Sequence, residues 1–390
     1  MTRTAPAPAR TDRTRPPFML AAASFVSSFD RFAVAPILVL IGVGLGAPLA
    51  ATVTAASGYY LAYGLSQPLW GILSDRYGRI RVMRGTLIGA AVTGVASALA
   101  PGLAALIVAR ILTGAFFGAI IPTSLTYVGD TVASEGRQRA LTDLMAATAI
   151  GTALATACGG TIGHLAGWRA VFAVPAACAI VCSIALRGLP EPAREQVSGG
   201  MGAHIGSVLR RRWAWLVFGL GFVEGAVLLG TMTFLASALE HHGVGAAVAG
   251  LATAAYGVGV GVLTQLVKVL SRRLAVWWLI AIGGTSMGAG YVIVALYVST
   301  PTVVATAVLL GGGWAFMHSS IQTWATSVAP EARGTAVSFF AAALFIGSAL
   351  AAAAAGPLAD HQQYALIFWI AAAVTLPLML TATLTRRRYG

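Results

Sequence analysis

Asp30, Glu224 and Arg110 carry charge inside long apolar runs, where charge is hardest to hold. Each carboxylate lies about 12 residues from the start of its run, or about 18 Å along a helix that rises 1.5 Å per residue. Burial penalises the ionised form of a carboxylate. A group so placed can take up and release protons, and an ionisable residue within a membrane is a functional candidate by default. Arg110 needs acceptors and does not readily deprotonate. A lasting cation favours the ionised form of a nearby carboxylate, and its withdrawal favours the protonated form. Asp30 and Arg110 are therefore candidates for a couple that exchanges protons, with Arg110 alternating between Asp30 and substrate or water. The plainer alternatives are that Asp30 only neutralises Arg110 or Arg31, and that Arg110 caps carbonyls near the outer end of its helix. Glu224 either carries a second proton or binds a substrate cation directly. Arg31 points about 100° away from Asp30 on a helix, so it is expected to reach a neighbouring helix or a polar pocket. Histidines titrate near neutral pH as a class, but a lone one such as His318 more often packs through a hydrogen bond.

Composition dictates the elements that position these groups. The chain is 58% hydrophobic and 9% charged, with a mean hydropathy of +0.82. A soluble domain carries about 25% charged residues, so this chain cannot solvate a water-facing surface. A membrane helix needs about 20 apolar residues. Twelve candidate spans meet that need, near 18–41, 48–71, 82–100, 103–128, 139–164, 169–187, 213–239, 245–270, 274–298, 302–328, 335–358 and 364–384. Lipid offers backbone groups no partner, so each span is predicted to be helical.

A net charge of +13 would suggest nucleic acid in a soluble protein, but its placement says otherwise. Arg3, Arg10, Arg13 and Arg15 precede the first span; Arg76, Arg79, Arg81 and Arg84 follow the second; Arg137 and Arg139 follow the fourth. Arg194 and Arg210 to Arg212, then Arg272 and Arg273, then Arg333, then Arg386 to Arg388 continue the series, while the opposite loops hold only Arg169. By the positive-inside rule both termini are expected in the cytoplasm, with the chain multi-pass in the cytoplasmic (inner) membrane. Anionic lipid, not nucleic acid, is the expected partner of the basic excess. Cys158, Cys178 and Cys182 all fall within spans five and six and are read as small apolar packing residues.

The spans form two sets of six, echoing each other at an offset of about 196 residues: Val132 to Arg137 matches Val328 to Arg333, and Leu73 to Arg76 matches Leu270 to Arg273. Subtracting that offset from Glu224 lands within two residues of Asp30. An even number of spans per half gives both halves one orientation, so they should meet about an axis along the membrane normal, with a site near the midplane. The expected division is a tail at 1–17, a six-helix bundle at 18–187, a polar linker at 188–212 with room for a short surface helix, a second bundle at 213–384 and a tail at 385–390.

Between the second and third spans lies Gly71-Ile72-Leu73-Ser74-Asp75-Arg76-Tyr77-Gly78-Arg79, read as a short charged loop at the bilayer surface. It resembles the G-x-L-x-D-R-x-G-R signature of major facilitator superfamily transporters. Arg110 to Gly114 is similar to that family's R-x-x-x-G pattern, Gly167-Trp168-Arg169 with Phe172 to its G-W-R-x-x-F pattern, and Ala329 to Gly334 to its loop before span eleven. The antiporter branch's fifth-span pattern is matched by Gly151, Gly159 and Gly160, while Ala155 and Thr156 replace its central Gly-Pro.

The resemblance implies an all-α membrane fold of twelve transmembrane helices in two pseudo-symmetric six-helix bundles, and a role for Arg110 in proton coupling. It implies a central cavity lined by spans one, four, seven and ten. Candidate wall residues, besides Asp30 and Glu224, are Tyr59, Tyr63, Gln67, Phe117, Tyr256, Trp314, His318 and Gln322. An aromatic, amide-flecked pocket suits a bulky amphipathic solute, although membrane aromatics commonly face lipid or the interface. Gly71, Asp75, Arg76, Gly78 and Arg79 are expected to act as a conformational latch, Asp75 accepting from Arg79 and from the start of span eleven near Thr335. No metal-ligand cluster, nucleotide-binding loop or nucleophile–base set is visible, so no enzyme activity and no cofactor are expected, with the proton gradient as energy source. The expected function is proton-antiport export of a hydrophobic or amphipathic molecule by a monomer. Proton-linked transport of a sugar or nucleoside is the alternative, and a non-transporting sensor or intramembrane enzyme on the same frame is a third reading.

Overall fold

A computed structural model describes residues 18–192 and 201–389, so the basic N-terminal tail and Arg194 lie outside the described residues. Span one is Phe18–Phe32, continued after a 40° bend by Ala35–Leu45. The bend falls beside Pro36, whose ring removes a backbone donor. Leu49–Tyr77, Arg79–Ala98, Leu103–Thr131, Ser134–Ala166 and Trp168–Ala185 complete the first half. The second half is Arg212–His241, Ala246–Leu270, Val276–Leu296, Thr300–Ser327, Arg333–Asp360 and Tyr364–Tyr389. Among the described residues there is no strand.

Several helices run past their apolar stretches. Span two continues through Gly71 and Asp75 to Tyr77, so the expected loop shrinks to Gly78, whose φ of +106° suits a residue without a Cβ. Span twelve runs to Tyr389, so the expected tail is its last turn, where Arg386 to Arg388 complement the helix dipole. Apolar content marks the hydrocarbon layer, but helical hydrogen bonding continues into the polar interface. The linker contains the helix Met201–Leu209. Spans two and three are less apolar than the other ten. They supply polar lining instead: Thr52, Ser57, Ser66 and Gln67 in span two and Thr86, Thr93 and Ser97 in span three are buried.

The duplication shows in the packing. Within the first half, span one packs on five, two on four, and three on six; in the second, seven packs on eleven, eight on ten, and nine on twelve. The halves join through two equivalent seams, spans two with eleven and five with eight. Small residues permit the closest approaches: a Cβ on Gly114 would meet the backbone of Tyr59, and one on Gly225 the backbone of Leu344.

Contacts across the seams run from mid-depth toward the face opposite the arginine-rich one. Gly64 lies against Phe345 and Gly257 against Ala153 at mid-depth, and Gly160 against Ala246 farther out. At the opposite face the amide of Ala50 donates to Asp360 Oδ1 at 2.9 Å.

Candidate functional site

Five side chains that carry charge or an imidazole are buried among the described residues: Asp30, Arg31, Arg110, Glu224 and His318. Four of them form two couples. Span one presents Asp30 to Arg110 of span four, with Nη1 to Oδ1 and Nη2 to Oδ2 both 3.0 Å. Arg110 Nη2 also donates to the Asp30 carbonyl at 3.2 Å. The paired donors of a guanidinium match the two oxygens of a carboxylate, which fixes orientation as well as charge. The couple is dry, at 0% and 1% side-chain exposure. The rings of Tyr59 and Phe172 lie 4.4 and 4.7 Å from the guanidinium. The Tyr59 hydroxyl and Arg110 Nε lack partners.

The second couple joins span seven to span ten. His318 Nδ1 lies 3.2 Å from Glu224 Oε2, and the two side chains are 4% and 0% exposed. The imidazole stacks on Trp314 with centroids 3.7 Å apart and lies 5.6 Å from Phe340. Glu224 Oε1 has no partner. Both helices are wound locally as π-helix at this level: Ala226–Gly230 follows Glu224, and Trp314–His318 ends at the imidazole. Such turns widen a helix and recur at functional sites.

An aromatic wall runs from the first couple to the other half. Tyr59 stacks on Tyr63 at 6.1 Å, and Tyr63 meets Phe345 of the other half at 4.7 Å. Arg31, 6% exposed, sits over the rings of Tyr63 and Phe32 at 4.8 and 4.9 Å and near that of Phe345 at 5.3 Å. A narrow cavity beside it is lined by Phe32, Tyr60, Thr156, Met232, Thr253 and Tyr256.

The structure thus gathers Asp30, Arg110, Tyr59 and Tyr63 in one cluster and Glu224, His318 and Trp314 in another, with Tyr256 on the cavity. Gln67 is buried one turn beyond Tyr63. The Phe117 ring is buried, and its carbonyl accepts from Ser27 Oγ at 3.3 Å. Gln322 departs from expectation: one turn nearer the arginine-rich face than His318, it is exposed and outside the cluster. Sequence reasoning missed Tyr60, Phe340 and Phe345, and the pairing of His318 with Glu224. The duplication signalled only the facing helices, spans one and four mapping onto seven and ten; it carries Arg110 to Thr306, not to His318. Phe345, 282 residues from Tyr63, had no such signal.

In the latch, Asp75 pairs with Arg79, whose Nη1 also reaches Ser74 Oγ at 2.9 Å and whose Nε reaches Asp130 Oδ2 at 3.2 Å. Arg76 lies over Tyr77, and Gly71 has open space around it. Asp75 meets the expected partner Arg79, and among the described residues no hydrogen bond joins it to the start of span eleven. An unforeseen residue, Glu191, sits against Gly78 and accepts from the amides of Ile80 and Arg81 at 3.2 and 3.3 Å.

The architecture and motifs agree with comparisons to known proteins. A triacylglyceride transporter of Mycolicibacterium hassiacum is 34% identical over 37% of this chain and 29% of its own length. The multi-drug resistance efflux pump PmrA of Streptococcus pneumoniae is 33% identical over 29% of this chain and 28% of its own. The alignment thus spans less than a third of either relative. The inward open xylose transporter XylE from E. coli superposes with a TM-score of 0.76 over 94% of both chains at 15% identity, a likeness of fold alone. The sequence pattern of the Major Facilitator Superfamily matches residues 20–245 and 217–389, nearly the whole chain. With its duplicated six-helix halves and the signature at 71–79, the chain belongs to the Major Facilitator Superfamily, a transporter family and not an enzyme family.

Proposed function

We propose that this protein is a secondary active transporter that exports a hydrophobic or amphipathic small molecule in exchange for protons. The observation that carries the proposal is the pair of buried ionisable couples, whose carboxylates share a depth by the repeat offset, one of them against an aromatic wall that joins the halves. On the positive-inside rule the arginine-rich face is cytoplasmic, and the seams close toward the outside. Asp30 held by Arg110 corresponds to the proton-released configuration. Withdrawal of Arg110 toward substrate or water would favour protonation of Asp30. Glu224 with His318 supplies a second protonatable station, and its free Oε1 is open to a proton or a substrate donor. Rocking of the halves at the seams would expose the site alternately to each side. The working unit is a monomer in anionic lipid, driven by the proton gradient without a cofactor. The similarity to a named efflux pump supports the outward direction.

The test is transport in proteoliposomes under an imposed pH gradient. Wild type should move substrate uphill, and folded Asp30→Asn and Arg110→Ala proteins should not. Uphill transport by both variants at the wild-type rate would overturn the coupling scheme.

A further inference from the structure

Of the five buried side chains that carry charge or an imidazole, Arg31 alone has no acidic or basic mate among the described residues. Asp30, its neighbour in sequence, is occupied on both oxygens by Arg110. Arg31 makes one side-chain hydrogen bond, from Nη2 to Ser28 Oγ at 3.5 Å, the long edge of the range. Its Nε is buried without an acceptor. A guanidinium has five donors and does not shed its charge. Aromatic faces attract a cation, but they accept few of those donors and leave the charge uncompensated. A buried cation so held is prepared for an anion.

Its surroundings suit one kind of anion. The three rings around the guanidinium come from both halves, Phe32 and Tyr63 from the first and Phe345 from the second. Tyr60, which stacks on Phe345, continues the wall to the cavity shared with Tyr256. A carboxylate could pair with the guanidinium fork while an apolar body lay along the rings. A cationic head would meet Arg31 with Asp30 already engaged. We infer that Arg31 is the head-group site for an amphipathic organic acid, a carboxylate or comparable anion on an aromatic or aliphatic body, bound at the seam between the halves. The claim that this acid is cargo rests on the transport function proposed above; the claim that it binds does not.

The experiment uses the full chain in nanodiscs and three probes with one body: 3-phenylpropionate, 3-phenylpropionamide and 3-phenylpropylammonium. Calorimetry should show the carboxylate binding at least about tenfold more tightly than the amide, as expected for losing a hydrogen bond to a charged group, and the ammonium most weakly. Arg31→Gln should abolish the preference, and Arg31→Lys should retain part of it. If Arg31→Gln does not fold, the wild-type charge series and Arg31→Lys decide the matter. Equal or tighter binding of amide or ammonium, no binding of any probe, or an unaltered preference in Arg31→Gln would each overturn the site. Flux indifferent to a pH gradient, with the carboxylate preference intact, would instead defeat proton-driven export and leave the anion site standing.

Discussion

The two halves solve the same problem with different cations. At matching depth, Asp30 of span one meets an arginine from span four, and Glu224 of span seven meets a histidine from span ten. The first couple is bidentate and its cation does not discharge. The second is a single contact with one imidazole nitrogen, and it leaves one carboxylate oxygen free. Duplication supplied equivalent helices and matching carboxylate depths, but the partners arose at different positions, since the offset carries Arg110 to Thr306, twelve residues from His318; one couple is a clamp and the other is looser. The backbone follows suit: both second-half helices carry a π-helical turn at the couple.

Breaking the clamp should have the largest effect. Arg110→Ala leaves Asp30 buried and unpaired, an arrangement that costs about 3–5 kcal/mol. A large drop in thermal midpoint is expected, with partial recovery in the Asp30→Asn, Arg110→Ala double variant, and the two melting curves check it. Exchanging the partners comes next. His318→Arg should convert the second couple into a clamp, and the expected outcome is gradient-driven flux falling about a hundredfold, roughly the cost of breaking one added charged hydrogen bond in each cycle. Comparable uphill flux in this variant would mean that the difference between the halves has no functional weight. Glu224→Gln keeps the shape and removes the charge, so stability should change by about 1–3 kcal/mol, read from denaturation of the purified protein. The smallest effect belongs to the periphery: Gly78→Ala forces a side chain into a positive-φ position beside Glu191. A loss of about 1–2 kcal/mol is expected, with both couples intact by transport assay.

Much of this was legible in the sequence because charge is scarce in it. Asp30, Arg110 and Glu224 stand out wherever apolar runs surround them, and the offset of about 196 residues predicted that the two carboxylates would share a depth. What a linear pattern lacks is rotation and lateral neighbourhood. His318 read as a lone packing residue, since the repeat sets span ten against span seven but does not match His318 to Arg110. Phe345 and Tyr60 meet only when the halves close, and Glu191 reaches Gly78 across 113 residues. The end of span two was misplaced for a different reason. Hydropathy measures where lipid stops, whereas the helix stops where Gly78 changes the backbone's handedness.

Glu191 has a mechanical consequence. It pins the chain to the start of span three just before the connection to the second half, and the chain is held again at Met201–Leu209, which packs on span eleven. The connection is thus moored to both halves, to the first by Glu191 and to the second by Met201–Leu209.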